Sequence, residues 1–222
     1  MFTGIVQEIG RITSLEKDAE GGMNLVIACF LPFSAISEGA SVCCQGICLT
    51  VENSGREAES DTDDEGEEKR HHWFRVSLSP HTVKSTSAGR WAVGDTLNLE
   101  TSLTLRSLLG GHLLTGHVDE TAIVRKITAE SLSYRVEFSL PASLVPLVAK
   151  RGSVAVDGVS LTVADISAEN AKDHWFSVVL IPHSWKVTTL HQLKEGSMVN
   201  LEADMMARYA SRLIEVYKGS HS

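Results

Sequence analysis

Cys48, Thr50, His117, Ser160, Thr162 and Asp204 are the side chains of this 222-residue chain whose types and spacing could do chemistry. Four of them stand in two near-copies of one heptapeptide, QGICLTV (45–51) and DGVSLTV (157–163), 112 positions apart. In a strand, residues two apart share a face. Cys48 and Thr50 therefore point one way, as do Ser160 and Thr162, while Leu49 and Leu161 point to the other, toward an interior. One copy offers a thiol and a hydroxyl, the other two hydroxyls. A half-exposed strand can simply tolerate Ser and Thr. Recurrence in both copies, each behind a Gly that permits close backbone approach, weighs evenly against that bland reading.

A second short motif repeats at the same offset: Thr3-Gly4-Ile5-Val6 is answered by Thr115-Gly116-His117-Val118. A Gly in a strand marks a bulge or lets a flat ligand reach the backbone. Standing at the start of both repeats, it suggests two like sites for two like ligands. The differences between the copies are more informative than the matches. Ile5 is answered by His117, Cys48 by Ser160, and Ser102 by Asp204. His exchanges protons near neutral pH, and Asp does so if its pKa is raised. Such a scaffold would bind two equal molecules and treat them unequally.

The elements that must position these residues come from a duplication. Ser41-Val42 matches Ser153-Val154 at the offset of 112. Farther on, FRVSLSPHTVKST (74–86) matches FSVVLIPHSWKVT (176–188), and GDTLNLE (94–100) matches GSMVNLE (196–202), now at an offset of 102. The first copy thus carries ten extra residues, in the region of an acidic segment. That segment, about 55–70, is too poor in aliphatic residues to order itself, which predicts a mobile excursion at a hairpin tip. Short alternating or β-branched runs predict strands over 119–127, 134–140, 153–156, 159–164, 175–181 and 198–202. Strands this short and regular form a small barrel or sandwich in each repeat. Single helical turns are expected at 32–38 and 141–150. The tail, 203–218, places Met206, Tyr209, Leu213 and Val216 at helical spacing. This helix lies outside both repeats, so it packs either on its own domain or on another subunit.

Charge and composition exclude other classes. Of the net charge of −8, the stretch 55–70 contributes −5, from eight acidic and three basic residues. The body is near neutral and carries no basic stripe to neutralise phosphates, which argues against nucleic acid. No apolar run is long enough for a membrane helix, and the start shows no secretory pattern. Cys29, Cys43, Cys44 and Cys48 all lie in the first half, three within six residues, and read as reduced thiols of a cytoplasmic protein. Neither they nor His112 and His117, five apart, have a metal-ligand spacing. His81 and His183 follow Pro and read as turn or surface residues, His71-His72 as solvated, and Trp73, Trp91, Trp175 and Trp185 as core or subunit contacts.

Together, MFTGIV, QGICLTV, DGVSLTV and the linker GGHLLTGHVD (110–119) resemble the riboflavin synthase family of the single-chain type with two lumazine-binding repeats. The resemblance covers about residues 1–215. It implies an all-β fold of two tandem six-stranded Greek-key barrels (1–112 and 113–203) and a C-terminal α-helix (204–218) that holds a homotrimer. It implies that each barrel binds one 6,7-dimethyl-8-ribityllumazine, with the active site between the first barrel of one subunit and the second of its neighbour. It implies transfer of a four-carbon unit from one lumazine to the other, giving riboflavin and 5-amino-6-(ribitylamino)pyrimidinedione without metal or organic cofactor.

Carried over by position, the first barrel's contacts would be Gly4, Ile5, Val6, Cys48, Leu49, Thr50, Ser77, Leu78, Ser79, Pro80, His81 and Thr82. The second barrel's would be Gly116, His117, Val118, Arg151, Val159, Ser160, Leu161, Thr162, Val179, Leu180, Ile181, Pro182, His183 and Ser184. Ser41, Cys48, His117, Ser160, Thr162 and Asp204 match positions linked with catalysis. His117 and Ser160 would assist proton removal from the donor's 7-methyl group. Cys48, or a water beside it, would supply a nucleophile at the acceptor, and Asp204 would orient the ribityl chain or relay protons. Arg151 stands where many members have Lys, and Ile47 where some have Cys or Thr. The rival expectation is a non-catalytic lumazine or flavin carrier of the same fold, although survival of both SLT-like strands favours the enzyme. A purely structural module would take up no lumazine at all.

Overall fold

The computed structural model describes residues 1–62 and 68–220, with side chains left aside at 57–62, 68–70 and 220. The first repeat forms β1 (Glu8–Lys17), β2 (Met23–Cys29), β3 (Ser41–Cys44), β4 (Ile47–Thr62), β5 (Glu68–Leu78) and β6 (Thr96–Thr101). The second forms β7 (Glu120–Glu130), β8 (Ser133–Ser139), β9 (Ser153–Val156), β10 (Val159–Ile166), β11 (Trp175–Leu180) and β12 (Met198–Ala203). Each set closes into an antiparallel barrel. The order is β1-β2-β5-β4-β3-β6 in one and, correspondingly, β7-β8-β11-β10-β9-β12 in the other. These are the two six-stranded barrels expected, and they resolve the choice between barrel and sandwich.

Alternation explains the closure. Along β2 every second residue, from Met23 through Leu25 and Ile27 to Cys29, is buried, so one face can turn wholly inward. Ile12, Leu25, Ile27, Val42, Leu49, Val51, Phe74, Val76, Leu97 and Leu99 fill the first barrel. Val124, Val136, Phe138, Val154, Val156, Val163, Phe176, Val178, Val199 and Leu201 fill the second. Each such side chain contributes about 1.5–3 kcal/mol of burial. Bulges that bend the strands recur at matched places: between Ile12 and Ser14 and between Val124 and Lys126, then between Val51 and Asn53 and between Val163 and Asp165. The hairpins β3–β4 and β9–β10 turn on two residues each, Gln45-Gly46 and Asp157-Gly158. All four have positive φ, from 49° to 85°, the conformation that a two-residue hairpin with the sheet's own twist requires.

Several details differ from expectation. The acidic segment is not left without structure on its flanks: β4 runs into it to Thr62 and β5 leaves it from Glu68, with Ser60 opposite Arg70 and Asp61 opposite Lys69. A backbone ladder propagating outward from a cored hairpin needs no apolar burial of its own. The tip of the expected excursion, 63–67, lies outside the described residues. His71 and His72 are half-buried rather than solvated. His71 lies against Phe30, centroids 4.2 Å apart, and His72 Nδ1 is 2.8 Å from the Leu31 carbonyl.

His81 and His183 are exposed, in two short helices absent from the sequence reading, α1 (Pro80–Ser85) and α2 (Pro182–Val187). Pro suits both first turns, where its missing N–H is no loss. The tail is α3 (Met205–Ser220), capped by Asp204, whose Oδ1 accepts from Met206 N–H at 2.9 Å. It is tied to the second barrel through Arg208, which meets Asp119 Oδ2 at 2.9 Å. Met206, Tyr209, Leu213, Ile214, Val216 and Tyr217 remain exposed along it.

Candidate functional site

The repeated strands β4 and β10 sit where the two barrels touch, and the segments before β1 and β7 cross from one barrel to the other. Thr3 and Gly4 are gripped by Glu100, a buried carboxylate on β6. It accepts from Thr3 N–H at 2.7 Å, Thr3 Oγ1 at 2.6 Å and Gly4 N–H at 2.9 Å. Glu202 on β12 grips Thr115 and Gly116 in the same way, at 2.7, 2.6 and 3.0 Å. Burial pushes the Glu100 carboxyl above its ordinary range, and these donors oppose the push.

Each gripped glycine then lies on the other barrel. The Gly4 carbonyl accepts from Ser160 N–H at 2.8 Å, and the Gly116 carbonyl from Cys48 N–H at 2.7 Å. A Cβ on Gly4 would stand 2.5 Å from Ser160 Cβ, and one on Gly116 2.6 Å from Cys48 Cβ; φ is +74° and +76°. Val6 packs on the second barrel's core and Val118 on the first's.

This crossing regroups the sequence-derived residues. Gly4-Ile5-Val6 lies with Ser160 and its strand, not with Cys48, and Gly116-His117-Val118 lies with Cys48. The glycines of both motifs touch protein: Gly46 and Gly158 face each other, a Cβ on either meeting the other's backbone nitrogen within 2.9 Å. Asn98 and Asn200 complete a near-twofold seam. Asn98 donates to the Asp157 carbonyl and accepts from Thr189 N–H, while Asn200 donates to the Gln45 carbonyl and accepts from Ser87 N–H. The seam's symmetry breaks in charge at Gln45 against Asp157. Burial pushes the Asp157 carboxyl up to about 7. Phe2, Cys43, Leu114 and Ala155 form a small apolar cluster inside the seam, with Cys48 packed against it.

Ser41 stands opposite Thr50 across β3 and β4, and Ser153 opposite Thr162. Thr50 and Thr162 are exposed, Cys48, Ser160 and Leu161 half-buried. Pairing of Val51 with Val76 and of Val163 with Val178 brings the two SLT-like strands beside the chain running into α1 and α2. There Ser77, Ser79, Pro80, His81, Val179, Ile181, Pro182 and His183 are exposed, with Thr82 and Ser184 half-buried. Leu49, Leu78, Val159 and Leu180 point their side chains into the cores, which leaves a ligand only their main chain. Ile5, His117 and Arg151 are exposed, Arg151 at φ 67°.

The sequence reading set His112 aside, and the structure brings it to the centre. Its Nδ1 is 2.7 Å from Ser160 Oγ, and its Nε2 is buried with no hydrogen-bond partner among the described residues. Its backbone N–H donates to the Thr3 carbonyl at 3.1 Å. Burial pulls the imidazole below its ordinary range, while the Asp204 carboxylate acts in the opposite sense. A neutral imidazole beside a hydroxyl can take and return a proton. Among the described residues nothing comparable stands beside Cys48, so the two sites are chemically unequal. His112 lies in the linker outside the repeated blocks, where comparison of the copies carries no signal. Glu100 and Glu202 did carry one, the NLE written twice. The other thiols are buried: burial pushes Cys29 up to about 12, with Glu8 adding to it, and holds Cys43 and Cys44 well above the ordinary range. Among the described residues no group of His, Cys, Asp and Glu could hold a metal ion.

A family model described as the lumazine binding domain matches the chain twice, over residues 3–102 and 115–204. The fold and the paired sites thus define a tandem of lumazine binding domains. A riboflavin synthase of Brucella abortus is 38% identical over 98% of this chain and 100% of its own length, and one of Bacillus subtilis 33% identical over 96% and 90%. A crystal structure of LumP complexed with riboflavin superposes with a TM-score of 0.72 at 25% identity, over 91% of this chain and 99% of that one. The chain belongs to the riboflavin synthase family of lumazine binding domain proteins.

Proposed function

We infer that the chain converts two molecules of 6,7-dimethyl-8-ribityllumazine into riboflavin and 5-amino-6-(ribitylamino)pyrimidinedione, acting as a transferase of a four-carbon unit. The observation that carries this is the pair of homologous yet unequal sites, Ser160 with His112 in one and Cys48 in the other, in a chain whose full length matches riboflavin synthases. A dismutation consumes two copies of one molecule, so a duplicated domain supplies both seats. Unequal surroundings then separate donor from acceptor. The two products together hold the atoms of the two substrates, so the exchange calls for no external oxidant or reductant.

In this reading the residues divide the work as follows. The His112–Ser160 pair, with His117 from the crossing segment of the other site, takes the proton from the donor's 7-methyl group. Cys48, or a water it holds, adds to the acceptor. Ser41, Thr50 and Thr162 offer hydroxyls to the ribityl chains, Arg151 a cation, and the chain around α1 and α2 main-chain groups to the ring. Asp204 caps α3 and biases His112 by its charge. Stacking two rings in a fixed geometry contributes up to about 7–11 kcal/mol in well-oriented systems.

The seam cluster of Phe2, Cys43, Leu114 and Ala155 fills the space between the Cys48 and Ser160 rows of one chain, which supports stacking across a subunit boundary. The apolar residues left exposed on α3 support a homotrimer built on that helix. Four free cysteines support a cytoplasmic setting. The test is to incubate the purified chain with 6,7-dimethyl-8-ribityllumazine alone and follow riboflavin fluorescence, with ligand stoichiometry by equilibrium dialysis. One riboflavin per two lumazines consumed and two sites per chain is the expected result. One occupied site with no riboflavin formed would instead make it a carrier.

A further inference from the structure

We propose that Glu100 and Glu202 are crossed positioning residues, each setting the reactive strand of the barrel it does not belong to. Glu202 is on the second barrel, and its three hydrogen bonds hold Thr115 and Gly116. The Gly116 carbonyl in turn holds Cys48 N–H in the first barrel, and Val118 is seated on that barrel's core. Glu100 is on the first barrel and holds Thr3 and Gly4. The Gly4 carbonyl holds Ser160 N–H in the second, and the Thr3 carbonyl receives the His112 N–H.

The carboxylate form fits this task and an amide does not. One carboxylate oxygen accepts from Thr N–H and hydroxyl and the other from Gly N–H, so all three groups donate inward. Gln would turn an NH₂ onto the glycine N–H or lose the pair. A buried donor left unsatisfied is costly, so the segment must shift, and the strand it supports shifts with it. The glycines give that segment no slack, because a Cβ at either would lie within 2.6 Å of the facing side chain's Cβ.

A purely local role predicts the reverse assignment. Glu100, not Glu202, shares a ladder row with Cys43 and Cys48 across β6, β3 and β4, and Glu202 shares one with Ala155 and Ser160. The experiment therefore compares Glu202→Gln with Glu100→Gln in the full chain. Cys48 is the half-buried thiol among buried ones, so its alkylation by iodoacetamide, mapped by peptide mass, reports its strand. The expected rate rises about tenfold in Glu202→Gln and stays within about twofold of wild type in Glu100→Gln. Nuclear magnetic resonance of the His112 ring should shift in Glu100→Gln and not in Glu202→Gln. Equal effects, no effect, or the larger Cys48 response in Glu100→Gln overturns the proposal. Thr115→Val and Thr3→Val, which remove one hydroxyl from each clamp, give the same comparison if the Gln variants do not fold. The kinetic consequence, a fall in kcat exceeding the change in KM, rests on the catalytic reading above. The alkylation and resonance readouts do not, so failure of one is distinguishable from failure of the other.

Discussion

Replacing Gly116 by Ala tests the crossing directly, because the structure supplies a matched control. Gly116 and Gly196 both have left-handed φ, +76° and +87°. An L-residue there costs about 1–2 kcal/mol, and that cost applies to both. They differ in what a new methyl would meet. At Gly196 nothing lies within 4 Å; at Gly116 Cys48 Cβ lies at 2.6 Å, Cys48 N at 2.9 Å and Phe2 Cε2 at 3.0 Å. Two of these are a strand backbone and its own Cβ, which cannot swing away as a side-chain tip could. Overpacking of this kind adds about 1–3 kcal/mol. Gly196→Ala should therefore cost about 1–2 kcal/mol and Gly116→Ala about 2–5 kcal/mol. For a chain of this size that is a fall in Tm of about 2–8 °C against about 4–20 °C. Scanning calorimetry gives both midpoints, and lumazine turnover at a temperature where both variants are folded gives the second reading. Gly196→Ala should keep turnover, while Gly116→Ala, by pushing on Cys48, should lose it. If the two variants melt together within 1–2 °C, an offset of about the measurement's own resolution, the strap does not press on the first barrel and the account of both sites fails.

Four further outcomes follow from the same geometry. Ser160→Ala and His112→Gln should each lower kcat, and the double variant should be little worse than the poorer single one; multiplying losses would mean the pair does not act as a unit. Cys48→Ser should lower kcat more than it weakens lumazine binding, and an unchanged rate would remove Cys48 from the acceptor side. Deleting 205–222 should yield monomers, seen by sedimentation, that bind lumazine but turn it over poorly, whereas a fully active monomer would exclude a site shared between subunits. Asp157 has a folded pKa raised from 3.8 to about 7 by burial, so the stability it contributes is present in acid and is lost as pH rises through about 7. Between pH 5 and 8 that loss is at most about 3 kcal/mol. Asp157→Asn keeps an acceptor for Asn200 N–H and suits positive φ, so its urea midpoint should fall less over that range than the wild type's; parallel pH profiles would refute the assignment.

What could be read from the sequence was whatever repeats or alternates. Val159–Ile166 and Trp175–Leu180 are short runs rich in β-branched or aromatic residues, and their strand positions were legible to within two residues. The SLT and Thr-Gly motifs were legible because each is written twice. What failed was partnership. A glycine followed by a polar pair has the same letters whether it approaches a ligand or a sibling barrel, and here Gly4, Gly46, Gly116 and Gly158 all approach protein. Pairing by repeat number put Gly4 with Cys48, whereas chain crossing puts it with Ser160. His112 was unreadable for a different reason: its hydrogen bond to Ser160 spans 48 positions and depends on a linker with no copy to compare.

The crossing also bears on how a duplicated protein keeps two sites from drifting apart. If each barrel built its own pocket alone, a substitution in one would leave the other intact, and one pocket could decay without consequence to its sibling. Here the SLT-like strand of each barrel hangs on a glutamate and a glycine belonging to the other half of the chain, through the Gly4–Ser160 and Gly116–Cys48 hydrogen bonds. Loss of either clamp is therefore felt at the sibling's site: the segment that carries Ile5 or His117 loses its seating there, and the SLT-like strand it supports loses its backbone partner. The chemical differences, Cys48 against Ser160 with His112, are confined to side chains hung on that shared backbone. Two seats can thus be held alike in shape while they differ in reactivity, the condition under which two identical molecules can be given opposite roles.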